Sequence, residues 1–234
     1  MLQQRESVGR AIGSAWAPAV AMISSARHAR MFHPEGVVCR GGVEAAADGR
    51  FAVLGARLGG PVLARFSAAL WRGAPRWFDV LGVALRFGDD QDLLFATIRS
   101  PFTMPLAPLA TRTDDFLANR YWAVSPFEVA GVGRLKFRLT PTTPQRPEAS
   151  RPARLRRAVT DGVVGWDLEA RPVFRPRYQL VARLRLDHLA SDVDQAALRF
   201  DPCRAGRGIV PSGLVHATRP ATYASSQRAR PLRD

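Results

Sequence analysis

From residue 36 onward the chain breaks into eight short runs, apolar or alternating, separated by Gly, Pro or Asp. They read GVVCRGGVEAAA (36–47), PVLARFSAALW (61–71), LGVALRFG (81–88), DLLFATIRS (92–100), GRLKFRLTP (133–141), VGWDLEARPV (164–173), QLVARLRLD (179–187) and AALRFDP (196–202). Short runs of this kind between turn residues are the pattern of strands in antiparallel sheet. An open sheet exposes unpaired N–H and C=O groups at its edges, whereas eight strands can close into a barrel that has none. The expected fold is α+β: an eight-stranded antiparallel β-barrel with peripheral helices, formed as one domain over residues 1–234.

Helices are expected around this barrel. AIGSAWAPAVAMISSA (11–26) is apolar, but it is too short for a comfortable membrane span and is interrupted by Pro18 and serines, so a packed N-terminal helix over about residues 8–28 is expected. With no membrane span and no export signal expected, the location expected is cytoplasmic. TRTDDFLANRYWAV (111–124) looks helical, capped by Thr113 or Asp114. The Pro-rich TPTTPQRPEASRP (140–152) resembles a surface connection between two halves of the domain.

The net charge of +14 comes from 34 basic residues, of which Lys136 alone is a lysine. Arginine is scattered along the chain with no basic block, and no helix-turn-helix, zinc or single-strand-binding pattern accompanies it, so nucleic acid is not the expected partner. Guanidinium groups also hold the carboxylates or phosphates of cofactors. Cys39 and Cys203 have no CxxC or CxxH spacing and read as buried small hydrophobes.

Near the C-terminus, RPATYASSQRAR (219–230) reads as a helix. Thr218 or Arg219 can cap it, Pro220 fits its first turn, and Pro231 stops it. Arg219, Tyr223 and Arg230 then share a face at spacings of four and seven. A guanidinium beside the phenol favours loss of its proton from an ordinary pKa of about 10. The resulting tyrosinate is one of the few protein groups that hold haem iron axially.

With these residues in view, the chain resembles the haem catalase superfamily. RPATYASSQRAR resembles that family's proximal helix through Arg219, Tyr223, Gln227, Arg228 and Arg230. RMFH (30–33) resembles the segment with a propionate-binding arginine, Arg30, and the distal histidine, His33. RFS (65–67) resembles the strand with a second propionate arginine, Arg65, and the serine that braces the distal histidine, Ser67. FDVLGVALRF (78–87), IRSPFTMP (98–105) and FDPCRAGRGIVPS (200–212) resemble three further family stretches, so the matches span residues 30 to 230. The chain is about half the length of a typical catalase subunit and is similar in kind to the small minicatalase peroxidases.

The resemblance implies a catalase-like barrel holding haem b, its iron bound by Tyr223, with Arg30, Arg65, Arg219, Gln227 and Arg230 around the cofactor and no NADPH expected. His33 is the implied proton carrier and Ser67 its brace. The family's distal asparagine is not found; Asp92 stands at the nearest countable position. Asp79 matches a carboxylate of the substrate channel, with a turn residue before Gly82 an equal reading, and Phe32 replaces a smaller residue beside His33. His28, His188 and His216 are given no catalytic role.

The implied activity is a haem peroxidase that reduces organic hydroperoxides with an electron donor the sequence does not identify, with weak or no catalase activity. Hydrogen peroxide disproportionation and hydroperoxide isomerisation are the alternatives within the fold; a non-enzymatic haem carrier or sensor is the alternative of another class. With the family's assembling arms missing, the assembly expected is a homodimer.

Overall fold

The computed structural model describes residues 36–68, 78–123, 125–143, 150–195 and 197–212. The helices expected over 8–28 and 219–230 lie outside these residues, and with them Arg30, Phe32, His33, Arg219, Tyr223, Gln227 and Arg230. In chain order the elements are β1 (Val37–Ala45), α1 (Ala52–Leu58), β2 (Gly60–Ala68), β3 (Leu81–Phe87), β4 (Gln91–Ala96) and a 3-10 turn (Pro101–Leu106) that runs into α2 (Ala107–Ala110). Then come β5 (Tyr121–Trp122), β6 (Phe127–Val129), β7 (Gly133–Pro141), α3 (Arg151–Thr160), β8 (Val164–Pro172), β9 (Gln179–Leu189) and β10 (Ile209–Pro211).

Eight of these strands close on themselves in the order β1, β2, β3, β4, β5, β7, β8, β9 and back to β1, every pairing antiparallel. β6 pairs with the first part of β7, below the stretch that β5 takes, and β10 pairs with β6. The closed antiparallel barrel expected from the sequence is therefore present, and seven of the eight expected strands appear close to their expected bounds.

Alternation does the sorting. Val62, Ala64 and Phe66 of β2, Leu81, Val83, Leu85 and Phe87 of β3, and Leu135, Phe137 and Leu139 of β7 all enter one buried cluster, while their neighbours in sequence face outward. Phe66 packs between Phe116 and Trp166, with ring centroids 5.5 and 5.3 Å away. Leu54 and Leu58 of α1, and Leu155 and Val159 of α3, join the same cluster. The inside of the barrel is thus filled by side chains. No helix among the described residues is long and apolar enough to cross a membrane.

Four expectations are corrected. Residues 111–123 form no helix: Asn119 exchanges hydrogen bonds with both backbone groups of Arg112 and donates to Asp115 O, and the Asp115 carboxylate accepts from Leu117 N at 2.7 Å. Short polar side chains that satisfy the local backbone in this way compete with helix, so Thr113 and Asp114 start none. The segment 196–202 forms no strand where it is described; its backbone is held by side chains of β3 and β4 instead of a neighbouring strand. The end of the Pro-rich stretch starts α3, where Ser150 caps Ala153 N and Pro152 sits in the first turn.

The cysteines part company. Cys39 is fully buried on the core side of β1, and burial, slightly offset by the charge of Arg156, pushes its thiol up to about 12. Cys203 is exposed, contrary to the expectation that both are buried.

β1 and β9 meet with a register shift between Arg40 and Gly41, and a Cβ on Gly41 would lie 1.8 Å from the carbonyl oxygen of Arg185. That contact is with backbone, so no rotamer change relieves it. Gly41→Ala is expected to lower the unfolding free energy by at least about 3 kcal/mol, as measured by urea denaturation. In mildly alkaline buffer one thiol, Cys203, should react rapidly with a disulfide reagent, and Cys39 should follow at the rate of unfolding.

Candidate functional site

Because Val62, Ala64 and Phe66 face the core, Arg65 and Ser67 share the outward face of β2. Strand register then sets their neighbours: Val38 of β1 and Ala84 of β3 flank Arg65, and Gly82 of β3 pairs with Ser67. Gly82 and Ala84 put little bulk on this face, and a Cβ on Gly82 would stand in ordinary contact with Ser67 Oγ at 3.4 Å. The outcome is a face of small residues that carries one guanidinium and one hydroxyl.

Its sides come from two segments. Ala96 and Ile98 pack with Val80 and Ala107 in a small apolar cluster of their own beside Gly82. Thr97 Oγ1, which accepts from Leu81 N at 3.2 Å and from Thr111 Oγ1 at 2.8 Å, ties that side to β3. On the other side lies the stretch after β9, fastened at one end by the bidentate pair between Arg40 and Asp192. It brings Gln195 to Gly36, where a Cβ would lie 3.1 Å from the Gln195 amide oxygen and 2.8 Å from Arg65 Nε. Glycine at 36 leaves the space that the Arg65 side chain occupies.

Although it faces outward, Arg65 is only 8 % exposed. Burial first, and the like charge of Arg199 second, lower its pKa. Arg199 thus adds to the positive field at Arg65. Arg199 and Gln195 were missed by sequence reasoning, since they lie in or beside the run read as a strand; the odd-numbered outward register of Arg65 and Ser67 was readable.

Of the two carboxylates singled out from the sequence, Asp79 is fully buried just before β3, next to Val80 of the small apolar cluster, and its Oδ1 accepts from Val80 N at 2.7 Å. Asp92, 1 % exposed, accepts both Nε and Nη2 of Arg86 at 2.9 and 3.0 Å, and Asp201 N donates to it at 2.7 Å. Arg86 in turn donates to the Arg199 carbonyl and covers the Phe200 ring at 4.9 Å. Asp92 therefore holds the 199–204 segment against β3 and β4. It lies four residues along β4 from Ala96, which shares the Ser67–Gly82 row, a separation of about 13 Å.

Gln91 finishes the same seam. Fully buried, it donates to the carbonyls of Arg204 and Ile209 at 2.9 and 3.2 Å and accepts from Arg207 N at 3.3 Å. The segment that carries Arg199 is thus anchored at both ends, by Asp192 and by this polar knot.

His188 is exposed near the end of β9, opposite Arg40 of β1, with its Nδ1 2.6 Å from Asp187. Among the described residues no group of three or more His, Cys, Asp or Glu side chains forms a metal site. Compared with protein-family models the chain matches none, and no curated protein matches it.

Asp92→Asn should cost about 3 kcal/mol of stability, because it leaves the half-buried Arg86 without its countercharge. The paired change Arg86→Met with Asp92→Leu should recover much of that loss. Thermal denaturation of the three proteins measures both.

Proposed function

We propose that this chain is a haem peroxidase that reduces organic hydroperoxides, and that the cofactor lies against the outward face of β2 and β3. The observation that carries this reading is the buried, outward-facing Arg65 next to Arg199, two residues from Ser67 on a floor of Gly82 and Ala84. A flat group bearing carboxylates fits such a surface: small residues admit the plane, and a desolvated guanidinium gains most from a carboxylate partner. The packed interior leaves the outside of the barrel as the place for a ligand of this size.

Haem, when bound, supplies the redox chemistry that cleaves a peroxide O–O bond. The chain's own residues do the rest. Tyr223 is the iron ligand, and Arg30, Arg65, Arg219, Gln227 and Arg230 surround the cofactor, as the resemblance implies. His33 takes the proton from the terminal O–H of the hydroperoxide and returns it to the departing oxygen. Ser67 hydrogen-bonds the imidazole and fixes which ring nitrogen faces the substrate. The start of β1 supports that pairing, because Val37 is in register with Phe66, so the chain enters β1 beside Ser67, and His33 is only three residues before Gly36.

An external electron donor provides two electrons, and two protons come from the donor or from solvent, to convert the hydroperoxide to alcohol and water. Asp92, tied to Arg86 and Asp201, takes no part in proton transfer in this scheme. Without the family's asparagine amide at the nearest countable position, Asp92, disproportionation of hydrogen peroxide is correspondingly slow in this scheme.

Titration of the full chain with hemin, followed by absorbance, tests the reading. One hemin per chain is expected, with Arg65→Ala weakening binding by about tenfold or more and Tyr223→Phe changing the spectrum. His33→Ala should keep the haem and lose about 100-fold or more in alcohol formation from an alkyl hydroperoxide. A chain that takes up no hemin overturns the proposal, and equal rates for wild type and His33→Ala would make the protein a carrier.

A further inference from the structure

The opposite side of the barrel carries a feature that the peroxidase reading does not use. The β8–β9 hairpin turns through RPVFRPRYQ (171–179), and at its tip Phe174 is 93 % exposed, the most exposed large apolar side chain among the described residues. A single exposed apolar residue is ordinary, but this one is displayed on a rigid turn. Arg175 N donates to Pro172 O at 3.0 Å, Val173 N donates to Arg134 O at 3.2 Å, and the Arg171 guanidinium donates to the carbonyls of Val173 and Arg175. The backbone of the turn is therefore held from within, and Pro172 and Pro176 limit it further.

Beside Phe174 lies a half-open cleft of about 350 Å³, lined by Arg50, Pro172, Arg175, Pro176, Arg177 and Gln179. Arg50, Arg175 and Arg177 are exposed. The wall of this cleft is mostly apolar, and Arg50, Arg175 and Arg177 border it beside the projecting Phe174. The nearby carboxylate of Glu169 is already taken by Arg138 at 2.6 and 2.9 Å and leaves this charge unneutralised. Lys136, whose pKa is lowered by burial and by the charges of Arg171 and Arg134, extends the basic surface along β7.

We infer that this hairpin docks the protein on an anionic phospholipid surface, with Phe174 entering the boundary between headgroups and acyl chains while Arg50, Arg175 and Arg177 hold lipid phosphates. Charge complementarity and the apolar tip meet the two requirements of interfacial binding, apolar burial and attraction to anionic lipid. Single-stranded nucleic acid is the less fitting partner, since it needs successive aromatic platforms. The other ring of the hairpin, Tyr178, is already covered by Arg138 at 4.2 Å and by Arg171 at 5.2 Å.

Co-sedimentation of the full chain with phosphatidylcholine vesicles, with and without phosphatidylglycerol, is the test. Binding should require phosphatidylglycerol and fade as salt is raised. Arg175→Glu with Arg177→Glu should weaken it by at least about twentyfold, from about fivefold per guanidinium lost. Phe174→Ala should weaken it at unchanged charge, and Phe174→Trp should show blue-shifted emission on vesicles. A control reversal of two exposed arginines outside the hairpin, Arg99→Glu with Arg112→Glu, should weaken binding much less. No binding to phosphatidylglycerol vesicles, equal loss from the control pair, or preference for single-stranded RNA with the same sensitivity to the hairpin changes overturns the inference. Should the double reversal fail to fold, Phe174→Ala and the Phe174→Trp emission decide alone.

Discussion

The constraint that organises this molecule is closure of the sheet around an interior already full of side chains. Once β9 returns to β1, each strand in the ring has neighbours on both sides, and the alternation of the sequence must send one set of residues into a space of fixed volume. Phe66, Phe87, Phe137, Tyr121 and Leu residues occupy that space, each contributing about 1.5–3 kcal/mol by burial. With the buried cluster occupying the interior, the surface proposed for a ligand is the outer face, where the outward residues of β2 and β3 lie.

Closure is least regular between β4 and β7, where β5 offers two residues and pairs with β4 at a single position. There the barrel relies on side chains. Gln91 reaches the backbone of Arg204, Ile209 and Arg207 in the segment laid beside it, and the Arg86–Asp92 pair fixes the segment that continues toward Arg199. The same polar knot that completes the wall thus positions a guanidinium beside Arg65. Stability and the electrostatics of the candidate site are coupled through these few bonds.

Much of the barrel was legible because alternation and chain breaks are local signals: GRLKFRLTP begins and ends where β7 does, and LGVALRFG begins with β3 and runs one residue past it. The failures have a common cause. FLANRYW carries a helix-like apolar spacing, yet Asp115 and Asn119 satisfy the backbone around them, and the buried Tyr121 hydroxyl donates to Phe116 O at 2.7 Å. AALRFDP alternates like a strand, but its partners are side chains from β3 and β4. Strands as short as β5, β6 and β10 give no periodicity to read. Of the candidate site, the shared face of Arg65 and Ser67 followed from a spacing of two, whereas the approach of Arg199 depends on contacts more than a hundred residues apart in sequence.

Arginine serves several distinct ends in this chain: it clamps turns at Arg171, seals a seam at Arg86, and concentrates charge at Arg65 and Arg199. That variety explains why net charge alone pointed to no partner. The account's central claim, that the ligand-bearing surface is the outward face of β2 and β3, is tested most directly by a crystal structure of the full chain saturated with hemin. The account predicts a porphyrin against Gly82 and Ala84 with a carboxylate on Arg65. A porphyrin bound elsewhere on the chain, or a bare β2–β3 face in hemin-saturated crystals, would contradict it.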